Sequence, residues 1–368
     1  MIAIVHLVAL GFMSQVILGS LFQLLPVLAG SNISRTSRFS IAIWLLLNCG
    51  TLVMASGFIW VNFHIVAIGA ALLSFCLIPF SALTIITLYR LDTKSTTLTG
   101  ILLALLALIG VVFYGDFLIM QLSGWLHSPD IIHHVNRHAT LALVGWLGFL
   151  VISVSYQIHP LFFVSEEYPD LYKKTAVPIA IICLASYMLL NEPWLLSPIA
   201  FLGIVFSLLL IQRLWNRKKK RLDPIIILNY LTATAMFTAA ALHLSSVNGF
   251  YITMTLIYGI GVIMPAATLL KIIPFLCWMH LQEERVKKQY FNVPIPNMKR
   301  FIGDFPPLLL ATQLIFITPA LIMHRQEKWL TGATTGTQVI AVSLTLIYLI
   351  SAALFRYRKA IESFGPRG

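Results

Sequence analysis

The chain has 368 residues, of which 59% are hydrophobic and 10% charged, and its mean hydropathy is +0.89. Soluble domains carry about a quarter charged residues, so no soluble fold accounts for this composition. In so apolar a chain the net charge of +12 reports membrane topology and attraction to anionic lipid, not binding to nucleic acid.

Apolar runs of the length that crosses roughly 30 Å of hydrocarbon recur along the whole chain. Continuous Leu/Ile/Val/Phe runs lack the alternation of barrel strands, and in lipid only helices and closed barrels satisfy their backbone. The expected fold is therefore all-α, a single polytopic membrane domain over 1–368. The N-terminal run has no basic n-region or small-residue cleavage site, so it reads as a retained helix. In chain order, spans are predicted near 2–29, 40–58, 63–89, 97–121, 139–164, 174–190, 194–213, 224–242, 248–272, 305–323 and 336–355, about eleven in all. The residues from Lys271 to Gln289 mix apolar and basic side chains in the manner of an interfacial helix.

Lys and Arg collect on alternate loops of this scheme, as the positive-inside rule requires. One set holds Arg35, Arg38, Arg90, Lys94, the run from Arg213 to Arg221 and the tail from Arg356; the other holds only Arg137, Arg325 and Lys328. The N-terminus is expected outside, periplasmic for a bacterial inner membrane, and the C-terminus in the cytoplasm.

Sorted by that topology, His6, His64, His127, His133, His134, His138, His243 and His324 all fall at the outer face, and only His159 and His280 toward the cytoplasm. Ionisable residues at membrane depth are costly and usually face a protein interior, so the clustering points to a shared site. Single histidines at helix ends also serve as headgroup-level residues, which is the plainer reading for His64, His127 and His324. His133 and His134 are expected in a loop before the fifth span.

Three segments align with one another, repeats beginning near 2, 136 and 243. Each opens with a histidine and reaches a proline: His6 to Pro26, His138 to Pro160 and His243 to Pro265. The first two share Gln-x-x-Pro, at Gln23 and Gln157, and a small residue seven before the proline, Gly19 and Ser153; Tyr258 holds that place in the third. The repeats start spans one, five and nine, so the unit is four helices and a pseudo-threefold ring is the natural arrangement. His6, His138 and His243 are the candidate cofactor ligands, because neutral imidazole suits iron. His64, His133 and His134 are candidates for a second metal, copper or zinc. The four cysteines stand singly with no C-x-x-C-H spacing, which argues against disulfides and c-type attachment.

The segment from His138 to Gly148, HATLALVGWLG, resembles the H-x-H-x-x-x-x-G-W-x-G helix of heme–copper oxidase subunit I, especially the cbb-type oxidases and nitric oxide reductases. The histidine-rich outer face is also similar to the NnrS family of heme- and copper-containing membrane proteins linked to nitric oxide stress. The resemblance implies a b-type heme with axial histidines, copper as a possible companion, and an oxidoreductase role in electron transport or in binding or reducing O2 or NO. It also implies an electron-donor protein or quinol as partner beside the lipid bilayer. The departures are plain. Thr140 stands where that family has its second histidine, and its His-Pro-Glu-Val copper motif is absent. Two other classes stay open: a transporter of a metal, heme or small solute, for which Pro79, Pro265 and Pro274 could break helices, and an assembly factor without a cofactor.

Overall fold

The computed structural model describes residues 2–29, 36–91, 95–218, 220, 223–289, 294–303, 307–310, 312–313 and 328–362, and every regular element among them is helical. Helix α1 runs as Ile2–His6, Leu7–Ser14 and Gln15–Ala29. It is followed by α2 (Thr36–Ile59), α3 (Phe63–Tyr89), α4 (Thr96–Leu122), α5 (Ile131–Phe163), α6 (Asp170–Leu190), α7 (Pro193–Trp215), α8 (Pro224–Leu244) and α9 (Gly249–Lys287). A short α10 (Lys299–Ile302) and a long α11 (Lys328–Glu362) complete the described chain. Ten of these helices, α1 to α9 and the Ile340–Glu362 part of α11, are long and apolar enough to cross a membrane. The protein is an all-α, multi-pass membrane protein. The span predicted at 305–323, with His324 after it, lies mostly outside the described residues.

Local chemistry sets the helix ends. The Asn62 side chain accepts from the backbone N–H of His64 and Ile65, and Ser95 accepts from Leu98 N–H at 3.2 Å, so orphan donors at the starts of α3 and α4 are satisfied. Asn191, in the left-handed region at φ 57°, ends α6, and Pro193 opens α7. The turn between α8 and α9 is as short as the sequence required, with Asn248 capping Phe250 N–H at 2.9 Å. One expectation fails here. His133 and His134 lie on the first turn of α5, not in a loop, because the helix already starts at Ile131 and their N–H groups donate to Asp130 O. The segment from Lys271 continues α9 through Pro274.

The chain divides into two compact units, residues 1–220 with 233–261 and residues 221–232 with 262–368. In the first, α2 and α3 cross closely at glycines. A Cβ on Gly57 would meet Val66 N at 2.6 Å, and one on Gly50 would meet Leu73 Cγ at 2.8 Å, the small-residue contact by which membrane helices approach. Gly100 of α4 packs in the same way on Ser153 of α5, which is fully buried.

Helices α1, α5 and α9 each contain an eight-residue π-helical segment: Leu7–Ser14, Leu141–Gly148 and Thr255–Val262. Each has glycine at its fifth position, Gly11, Gly145 and Gly259, and proline fifteen residues beyond, at Pro26, Pro160 and Pro274. This register corrects the third copy of the repeat, which is anchored by Gly259 and Pro274 and not by His243 and Pro265. It also fills the small-residue place with Gly19, Ser153 and Ala267. Positions 13, 147 and 261 are equivalent in this register, and they meet. A Cβ on Gly261 would lie 2.6 Å from Met13 Sδ and 3.4 Å from Leu147 Cδ2, and Met13 and Leu147 are buried at 4% and 1% exposure. The missing side chain of Gly261 makes room for the sulfur of Met13 where the three repeats touch.

In the second unit, Cys277 and Leu281 of α9 pack on Phe301 of α10 and Ala353 of α11. Arg356 ties that corner by donating from Nη1 to the Phe301 and Arg300 carbonyls at 2.9 and 3.2 Å. Lys271 pairs with Asp223 at 3.6 Å.

Candidate functional site

In the π-helix register His6 is the counterpart of Thr140, and His138 the counterpart of Ile4, so the two histidines do not occupy equivalent places. The fold nevertheless brings them together. Their rings lie 6.5 Å apart between centroids with planes 22° from parallel. Phe58 of α2 stacks on His6 at 5.3 Å, and Gly115 of α4 gives His138 its place, since a Cβ there would stand 3.3 Å from His138 Cε1.

A hydrogen bond selects one nitrogen on the His6 ring. His6 Nδ1 bonds the Ile2 carbonyl one turn back at 3.0 Å, which fixes Nδ1 as the donor and leaves Nε2 with its lone pair. His138 Nδ1 is buried and has no hydrogen-bond partner. A histidine whose Nδ1 is held by backbone oxygen presents Nε2 as a metal ligand, the arrangement seen around bound metals. Two imidazoles on one metal, with bonds of about 2.0 Å and ring radii of about 1.1 Å, have centroids roughly 6 Å apart. The observed separation of 6.5 Å is close to that of such a pair, which makes His6 and His138 the candidate ligands that the fold brings together.

The other predicted ligands stand apart from this pair. His134 is partly buried against Phe117 and Tyr114 of α4, with centroids at 5.0 and 6.2 Å, and its Nε2 shares a hydrogen bond of 3.2 Å with Ser128. His133 is exposed on the same helix, and exposed His64 sits beside Trp125 at 5.9 Å. Among the described residues no three His, Cys, Asp or Glu side chains form a metal-binding group. His243 closes α8 and lines a cavity.

That cavity, of about 630 Å³, lies within the first unit between α5, α7, α8 and α9. Asn136, Thr140, His243 and Asn248 stand at its polar end; Leu147, Ile152, Ile199 and Ile260 are among the residues of its apolar body. Thr140 and Ile252, both in its wall, are the counterparts of His6 and His138 in the next pair of repeats. The α5–α9 sector therefore repeats the α1–α5 sector with both imidazoles replaced.

Sequence reasoning missed a third cluster, at the far end of α5. His159, 2% exposed, shares a 2.7 Å hydrogen bond with the Tyr168 hydroxyl, and Tyr168 stacks on Phe206 at 5.6 Å. Arg213 lies over the Tyr168 ring at 5.9 Å and donates from Nε to the Glu167 carbonyl at 3.0 Å. Burial pushes the Tyr168 hydroxyl well above the ordinary phenol range against the pull of Arg213. These four aromatic or basic residues around one loop were unreadable because they come from two separate helices and the 164–169 segment. No protein-family model, curated protein or solved structure matches this chain.

Proposed function

We propose that the protein is a heme-binding electron-transfer protein of the inner membrane, with a b-type heme held between His6 and His138 near the outer face. The observation that carries this reading is the pairing of two imidazoles at 6.5 Å, with His6 Nδ1 bonded to backbone oxygen. Bound there, a heme would supply a one-electron couple. Two imidazoles on one iron leave no open position, which favours electron transfer over binding or reduction of O2 or NO. The orientation, with the N-terminus periplasmic and the C-terminus cytoplasmic, rests on the distribution of Lys and Arg. His64, His133 and His134 enter the reading only as candidates for a separate copper.

The test is reduced-minus-oxidised spectra and metal analysis on purified wild type, His6→Ala, His138→Ala, His133→Ala, His134→Ala and His243→Ala at matched expression. An axial imidazole supplies a bond that alanine cannot replace, so His6→Ala and His138→Ala should each strip the heme or shift its bands. Heme retained with wild-type bands in both overturns the assignment.

A further inference from the structure

Helix α2 turns one side to its own fold, where Gly50 and Gly57 pack on α3 and Phe58 stacks on His6 of α1. The opposite side faces outward: Ile41, Leu45 and Leu52 are 59%, 49% and 63% exposed. Such side chains suit hydrocarbon. Asn48, partly exposed on the same side between Leu45 and Leu52, does not. It stands twelve residues after Thr36 and eleven before Ile59, roughly 17 Å from either end of the helix, at a depth where a bilayer offers no water.

A carboxamide has two N–H donors and an oxygen that accepts twice. Asn48 Nδ2 donates one hydrogen to the Trp44 carbonyl at 2.7 Å. Among the described residues its second N–H and its Oδ1 have no partner. An amide left so in hydrocarbon is costly, so this face calls for a polar group at the same depth on whatever covers it.

The chemistry of the face selects the occupant. No charged residue occurs from Phe39 to Ile59, so nothing on this stretch would recruit a Lys or Asp from a different membrane protein. A second copy of the chain in the same bilayer runs in the same direction, and rotation about the membrane normal preserves depth. Asn48 then meets the partner's Asn48. Two carboxamides are self-complementary, each donating an N–H to the other's oxygen, as a twofold interface requires. The spacing agrees. Ile41, Leu45, Asn48 and Leu52 follow at intervals of four, three and four residues, the 3.5-residue period of a seam between two helices that cross near +20°. A single polar residue in such a seam fixes its register.

We propose that α2 is a homodimerisation face, packed against α2 of a second copy along Ile41, Leu45 and Leu52, with Asn48 hydrogen-bonded to the partner's Asn48. The interface is independent of the heme reading, because the seam lies on the side of α2 away from Phe58 and His6.

The experiment uses the full chain, tagged at its C-terminus with donor or acceptor dye and reconstituted in phosphatidylcholine vesicles over a range of protein-to-lipid ratios. Energy transfer should report a saturable dimer. Asn48→Leu should weaken association about tenfold, and Asn48→Gln, which keeps an amide, should stay closer to wild type. In a Cys49→Ser background, Leu52→Cys should give a disulfide-linked dimer on mild oxidation, whereas Phe201→Cys, exposed on α7, should not; this reads the interface without relying on the Asn48 variants. Energy transfer absent at every ratio, Asn48→Leu associating as tightly as wild type, or cross-linking at Phe201→Cys in place of Leu52→Cys would each overturn the proposal. So would a different protein cross-linked to Leu52→Cys in native membranes in place of the homodimer.

Discussion

The junction of Met13, Leu147 and Gly261 is the sharpest place to test the repeat. Any Cβ at position 261 would fall 2.6 Å from Met13 Sδ and 2.8 Å from its Cε, about 1 Å inside the optimal carbon contact of roughly 3.5–4.0 Å. Methionine is flexible, so Gly261→Ala should be absorbed by a swing of that side chain at the low end of the range of about 1–3 kcal/mol for overpacking. Gly261→Leu has no such escape, because Leu147 Cδ2 closes the other side at 3.4 Å, and it should cost about 3 kcal/mol or more. Met13→Ala alone should cost about 2–5 kcal/mol through the cavity it leaves. In the double variant the leucine occupies the space the methionine vacates, so the two losses should fall short of their sum by about 1–3 kcal/mol. Unfolding in mixed micelles, followed by tryptophan fluorescence, measures all four corners of the cycle. Additivity within about 0.5 kcal/mol would show that residues 248 positions apart in the chain share no junction, and the threefold reasoning would fail.

Gly115→Ala places a methyl 3.3 Å from His138 Cε1, so it should displace that ring by a few tenths of an ångström and shift heme bands without removing heme; unchanged spectra would speak against His138 as a ligand. His159→Ala takes the 2.7 Å partner from the buried Tyr168 hydroxyl and should destabilise by about 1–3 kcal/mol, visible as a lower melting temperature. Its heme spectrum should match wild type, because 21 residues of α5 put it roughly 30 Å from His138. Reporter fusions after Trp125 and after Arg221 should report opposite compartments, and agreement between them would undo the topology.

Span positions were legible because hydrocarbon thickness imposes a run length that composition alone reveals. The meeting of His6 with His138 was also suggested by depth, since topology sorts side chains along the membrane normal. Azimuth was not legible. What the three copies share is the π-helical segment with its glycine, which a histidine-to-proline offset does not record, so His243 was placed in the repeat and Pro274 was not. The cluster around Tyr168 was hidden for a different cause: its members are drawn from α5, α7 and the loop after Phe163, and no spacing along the chain marks them.

The π-helical segments have a mechanical meaning as well. An α-helix advances about 100° per residue, so one residue accommodated in wider turns resets the angular phase of everything on its N-terminal side. His6 lies immediately before Leu7–Ser14, and Met13 lies within it. The segment thus lets the same helix aim one side chain at the axis and another at His138, two directions a regular helix could not serve together. Forcing the same residues into regular i→i−4 bonding would leave the threefold contact seated and turn the imidazole about a quarter-circle away from its partner.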